Sequence, residues 1–134
     1  MKSILLVEDS RFLRVVTEKA LARAGYSVMC AHDGEEALRM AFDATPDLIL
    51  LDMLLPKLGG EEVLLALRKN ALTVHVPIVV LSSLSQKNKT KLLEAGATAY
   101  FEKSKMELDQ NAESLLQVLK GMLQCVGEEA SPAS

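Results

Sequence analysis

Asp52 lies inside the stretch DLILLDMLLP, where every neighbour from Leu48 to Leu55 is apolar. A carboxylate in such surroundings needs a compensating partner, because burying an unpaired charge is costly. Other chemistry-bearing groups stand at matching places: Glu8 and Asp9 follow an apolar run at 4–7, Ser82 follows one at 78–81, and Lys103 follows one at 97–101. Three carboxylates offer hard oxygen ligands to a cation such as Mg²⁺, which takes one or two carboxylates and keeps several waters. A hydroxyl and a mobile ammonium are donors for phosphoryl oxygens, and a carboxylate is a known nucleophile for phosphorus. Taken singly, each group has an ordinary role. Glu8 and Asp9 suit a solvated turn or helix cap, Asp52 a turn ahead of a proline, Ser82 a helix cap and Lys103 the surface. The chemistry arises only if the fold collects four strand ends in one place.

The apolar runs at 4–7, 27–31, 48–51, 78–81 and 97–101 alternate with segments of helical periodicity, giving five β/α repeats. Leu13, Val16, Ala20, Leu21 and Ala24 recur at helical spacing, and Gly25 supplies a stop. Asp33 opens a second helix with Glu36 three positions on, the pattern of a capping box. A third helix is expected over about residues 60–70, Pro77 leads into the fourth strand, and the fourth helix ends at Gly96. The runs LILL and IVVL are continuously apolar, as when helices cover both faces of a parallel sheet. The expected fold is therefore α/β, a doubly wound five-stranded parallel sheet. Its flavodoxin-like order, 2-1-3-4-5, is taken over from folds of this type rather than from these residues. The last helix, about 106–125, carries Leu108, Ala112, Leu115, Leu119 and Met122 as a core stripe that Leu116, Val118 and Leu123 widen. Residues 1–126 are read as the domain and GEEASPAS at 127–134 as a disordered tail.

In that order the first and third strands are neighbours, and ligands of open α/β sheets bind at the carboxyl ends of the strands. Glu8, Asp9 and Asp52 would then share one cleft. Each like-charged pair about 4 Å apart repels by roughly 4 kcal/mol at an effective dielectric of about 20, an upper-range figure for a partly hydrated site. A cation relieves that repulsion.

VEDS at 7–10, DMLLPKLGG at 52–60, VLSS at 80–83 and GATAYFEKS at 96–104 stand in this order along the chain. Together they resemble the acidic pair, phosphoacceptor segment, hydroxyl-bearing strand end and aromatic-lysine segment of response-regulator receiver domains, the phosphoacceptor half of two-component signalling. The resemblance covers residues 4 to about 123. It implies Asp52 as phosphoacceptor, with Asp9, Asp52 and the backbone carbonyl of Leu54 as Mg²⁺ ligands and Glu8 acting through metal-bound water. It further implies that Ser82 hydrogen-bonds the phosphoryl group, that Lys103 pairs with it, and that Tyr100 is the switch aromatic. The implied donor is a histidine kinase or phosphotransfer protein. The implied output is an unknown protein met through the face of the fourth helix, fifth strand and fifth helix, by a monomer or a phosphorylation-dependent dimer. No enzymatic activity is implied beyond the chain's own phosphorylation and dephosphorylation. Ser104 departs from the family by replacing the proline that commonly follows the lysine, and a cis bond there would cost a non-proline residue about 3 kcal/mol.

With 134 residues, nearly half of them hydrophobic, the chain suits one domain with one core. A formal charge of -3 with interspersed signs argues against a direct nucleic-acid partner. The opening MKSILLVEDS has too short an apolar run for a signal peptide or membrane span, so a cytoplasmic protein with no membrane partner is expected. Cys30 and Cys125 lack metal-ligand spacing and are read as reduced structural thiols. His32 and His75 are read as surface or loop residues, and Lys87, Lys89 and Lys91 spread around the fourth helix. No effector segment follows in this sequence, so output through protein contacts is expected.

Three rival readings stand beside this one. A haloacid-dehalogenase type phosphatase wants a second Asp two positions after the nucleophile, where Leu54 stands. A flavodoxin-like electron carrier needs a phosphate loop where Glu8 and Asp9 would repel the phosphate. A receiver-like interaction module that is never phosphorylated remains the alternative. Leu54 and Leu84, each two residues past Asp52 and Ser82, stand where the family influences the approach of water. Two large aliphatic side chains there predict slow loss of the phosphoryl group. Its half-life should shorten on Leu54→Asn combined with Leu84→Glu, and an unchanged half-life would refute the crowding argument.

Overall fold

The computed structural model describes residues 2–53, 59–82, 93–102 and 113–129. Five apolar runs form the strands β1 (Ser3–Val7), β2 (Ser27–Ala31), β3 (Leu48–Asp52), β4 (Ile78–Ser82) and β5 (Ala99–Glu102). All pair in parallel, in the order β2-β1-β3-β4-β5, which is the order expected. The helices α1 (Arg11–Arg23), α2 (Gly34–Ala44) and α3 (Gly60–Lys69) connect them, and a C-terminal helix, Glu113–Glu129, closes the fold. Leu93 and Glu94 end a helical turn before Gly96; Lys87, Lys89 and Lys91, in the expected fourth helix, lie outside the described residues.

Local chemistry accounts for the helix boundaries. Ser10 caps α1 by accepting the Leu13 N–H, and Gly25 follows the helix with φ +97, a left-handed conformation that favours glycine. Asp33 caps α2 by accepting the Glu36 N–H at 2.9 Å, while the Glu36 carboxylate lies 3.2 Å from His32 Nδ1. His32 and His75 are both exposed, as expected.

Successive strand residues point to opposite faces, so the sheet has two cores rather than the one expected. Leu5, Val7, Ile49, Leu51 and Val80 pack with Ala37 and Ala41 of α2 and Val63, Leu64 and Leu67 of α3. Ile4, Leu6, Leu48, Leu50 and Leu81 pack with Ala20 and Leu21 of α1 and with Leu115, Leu119 and Leu123 of the C-terminal helix. The helical stripe differs from expectation at one turn: Leu123 enters the core and Met122 flanks it, because the buried row advances by four residues from Leu115 to Leu119 to Leu123. Leu108 and Ala112 lie outside the described residues, and helical backbone continues past residue 126 to Glu129.

One close approach fixes α3 beneath the end of β3. A Cβ added to Gly60 would stand 2.6 Å from Met53 Cα and 2.7 Å from the Asp52 carbonyl oxygen, and the Gly60 N–H donates to the Met53 carbonyl. Gly59 caps the same helix with open space around it. The adjacent glycines should therefore respond differently to alanine. In denaturant unfolding, Gly60→Ala is expected to cost about 1–3 kcal/mol through overpacking. Gly59→Ala should cost below about 1 kcal/mol, the scale of a cap preference.

Candidate functional site

Parallel pairing of β1 with β3 sets Val7 beside Leu51, so the next residues, Glu8 and Asp52, emerge side by side from strands about 4.8 Å apart. Their backbones remain tied to the sheet. The Glu8 N–H donates to the Ala31 carbonyl at 3.2 Å, and the Met53 N–H, just past Asp52, donates to the Leu81 carbonyl at 3.1 Å. Glu8 is held further by the start of α1: its Oε1 accepts the Ser10 N–H at 3.1 Å, and its carbonyl accepts from Arg14 Nη1 at 3.1 Å.

Asp9 joins these two carboxylates in the cluster but is exposed, whereas Glu8 and Asp52 are buried to 2% and 1% residual exposure. One carboxylate oxygen from each of Glu8, Asp9 and Asp52 lies within 4.8 Å of the other two. Ligand oxygens about 2.1 Å from an octahedral Mg²⁺ are separated by roughly 3 Å when adjacent and roughly 4 Å when opposite, so the cluster needs only small adjustment to bind one. The all-oxygen donor set suits a hard cation, and the exposed side at Asp9 leaves room for retained waters.

The other expected site residues fall as follows. Ser82 ends β4, one residue beyond the Leu81 that pairs with Asp52, and its backbone is in register with Glu102. Tyr100 pairs with Val80 and is half-buried against the core face shared with α2 and α3. Lys103, the Leu54 carbonyl, Leu84 and Ser104 lie outside the described residues. Sequence reading did not assign Ser10 its part in holding Glu8. A backbone N–H leaves no residue-type signal, and the serine directly before the first helical periodicity marks only the cap of α1. Gly60 is legible in the sequence as one of two paired glycines and as the start of the third helix, but its close packing is not, because the backbone that approaches it belongs to the end of β3.

Comparison with known proteins agrees with this arrangement. The sequence model of response regulator receiver domains matches residues 4–117. The alkaline phosphatase synthesis transcriptional regulatory protein PhoP of Bacillus subtilis is 41% identical over 112 residues, 83% of this chain and 46% of that protein. The phosphate regulon transcriptional regulatory protein PhoB of Pseudomonas aeruginosa is 39% identical over 103 residues, 76% of this chain and 45% of that protein. The chain thus spans about half the length of these curated relatives. Among solved structures, a CheY-like receiver domain protein from Methanospirillum hungatei superposes with a TM-score of 0.85 at 29% identity, covering 97% of this chain and 99% of that one. The receiver domain of the sensor histidine kinase PA1611 from Pseudomonas aeruginosa, solved with a magnesium ion in its active site cleft, gives 0.81 at 31% identity, covering 92% and 98%.

Packing three carboxylates together should tax the folded state when no cation is present. In metal-free buffer Asp52→Asn is expected to raise the unfolding free energy by about 1–3 kcal/mol, by removing one repelling charge. Mg²⁺ should raise the melting temperature of the natural chain and leave that of the variant nearly unchanged. Equal Mg²⁺ responses would show that the cluster is not the cation site.

Proposed function

The chain belongs to the response regulator receiver domain family of two-component signalling, and on that footing we propose that Asp52 accepts a phosphoryl group from a histidine kinase or phosphotransfer protein. The observation that carries this reading is the buried Asp52 carboxylate gathered with Glu8 and Asp9 at the carboxyl edge of the sheet. An Asp52 oxygen attacks phosphorus in line with the donor. The phosphorus–nitrogen bond breaks with its electron pair leaving on the donor imidazole, and an acyl phosphate results. Water attack at phosphorus later returns the carboxylate and inorganic phosphate.

Asp9, Asp52 and the Leu54 carbonyl would hold Mg²⁺, with Glu8 acting through metal-bound water. When bound, the ion supplies charge stabilisation for the phosphoryl oxygens. Ser82, at the end of β4, is assigned the hydrogen bond to the phosphoryl group, and Lys103, next after β5, its ion pair. Tyr100 is assigned the switch: its ring turns inward once the Ser82 hydroxyl moves toward the phosphate, altering the surface around β5 that meets an output protein. Adding charge at one point thereby biases a two-state element.

A module that is never phosphorylated is not favoured, since Glu8, Asp9 and Asp52 would then keep a mutually repelling arrangement with no use for it. No helix among the described residues is long and apolar enough to cross a membrane. The deciding experiment is intact mass after incubation with Mg²⁺ and acetyl phosphate. A single phosphoryl adduct is expected on the natural chain, absent without Mg²⁺ and absent in Asp52→Asn. An adduct that survives in Asp52→Asn would move the acceptor elsewhere, and no adduct would return the interaction module.

A further inference from the structure

Arg68, in the last turn of α3, has a role that none of the site chemistry uses. Its Nε donates to the Gly96 carbonyl at 2.7 Å. Its Nη1 reaches the carbonyls of Val76 at 2.7 Å, Val74 at 3.0 Å and Thr73 at 3.3 Å, and its Nη2 reaches Thr98 Oγ1 at 3.2 Å. A planar guanidinium can address several acceptors at once in a way an ammonium cannot. Partial burial, by removing water from the charged guanidinium, pushes its pKa below the usual arginine value.

The partners lie where β5 is set against β4. Thr98 donates its N–H to the Ile78 carbonyl at 2.8 Å, and its Oγ1 accepts the Ile78 N–H at 3.0 Å. The register of β5 then follows: Ala99 with Val79, Tyr100 with Val80, Phe101 with Leu81 and Glu102 with Ser82. Gly96 is shaped to receive the arginine, having φ +120 and a position where a Cβ would stand 2.6 Å from Arg68 Cγ. As the edge strand of the sheet, β5 pairs among the described residues only with β4 and is four residues long, about 13 Å, so its seating depends on how its start is anchored. The opposite end of α3 is pinned by Gly60 under Asp52 and Met53. One helix therefore joins the acceptor strand to the start of the strand that carries Tyr100.

We infer that Arg68 is a positioning residue for phosphoryl acceptance: by clamping Gly96 and Thr98 it fixes β5 against β4, and so the placement of the residues at the far end of β5 relative to Asp52. This rests on the acceptor reading of Asp52. The test compares Arg68→Met, Arg68→Lys and Thr98→Val, each with Lys103 intact and in a Lys103→Ala background. Adduct formation from acetyl phosphate is measured per folded molecule, and Mg²⁺ affinity by NMR titration of the amides of Asp9 and Asp52. Arg68→Met should slow adduct formation by about fivefold or more with Mg²⁺ affinity within about twofold, and the loss should vanish in the Lys103→Ala background. Arg68→Lys and Thr98→Val, milder changes that guard against a variant that fails to fold, should fall between.

An unchanged rate per folded molecule, or the same loss with and without Lys103, would overturn the inference. Hydrogen exchange in the same samples separates it from failure of the acceptor reading. If the natural chain takes no adduct that reading fails, yet an acceleration of exchange over the natural chain that is larger at Tyr100 and Phe101 than at Leu50 and Leu51 in Arg68→Met still supports the clamp. Uniform acceleration would reduce Arg68 to a general stabiliser and refute it.

Discussion

Like-charge repulsion held in place by backbone hydrogen bonds organises this molecule. Parallel pairing of β1 and β3 forces Glu8 and Asp52 together, and the bonds from Glu8 to Ala31 and from Met53 to Leu81 deny either strand end the freedom to peel away. Ser10 and Arg14 tighten the hold on Glu8, and Gly60 lets α3 close under Asp52. Each device removes a motion by which the carboxylates would separate. The repulsion is thereby retained in the folded state at one rim of the sheet.

The two-core construction explains how such a cleft is tolerated. Apolar side chains fill both faces of the sheet up to its last residues, so the unfavourable electrostatics is confined to one rim over fully packed layers. At the opposite rim the chain spends its polar groups on closure instead. Ser3 and Asp47 exchange hydrogen bonds across β1 and β3, with the Ser3 N–H 2.7 Å from Asp47 Oδ2, and Arg68 gathers the start of β4 and β5. One rim is preorganised for chemistry and the other for rigidity, as open α/β sheets require of their two ends.

How much of this was legible in the sequence depended on the range of the interaction. The strands could be read because apolar runs such as LILL and IVVL have little alternative use in a chain of this length, and α1 and α2 because Gly25 and Asp33 are local signals. Strand order came from kinship with other folds, since nothing in residues 4–7 alone says that they lie between β2 and β3. The acidic cluster followed once that order was assumed. Arg68 was not legible: its partners are backbone carbonyls and one hydroxyl, which leave no pattern of residue types. The Met122 and Leu123 exchange shows a similar limit, because both lie on the apolar side of the helix and only the seating of its neighbours decides which one faces inward.

The order of the strands also bears on how the protein is made. Ser3 and Asp47, at the start of the pair that builds the cleft, are 44 residues apart, while β4 and β5 join segments much closer in sequence. Closing the longer loop costs more chain entropy, although that cost grows only slowly with length. During synthesis the cleft therefore has no local precursor: a nascent chain that has not yet emerged as far as Asp52 carries Glu8 and Asp9 as an ordinary solvated pair. The three carboxylates come together only when the third strand pairs with the first.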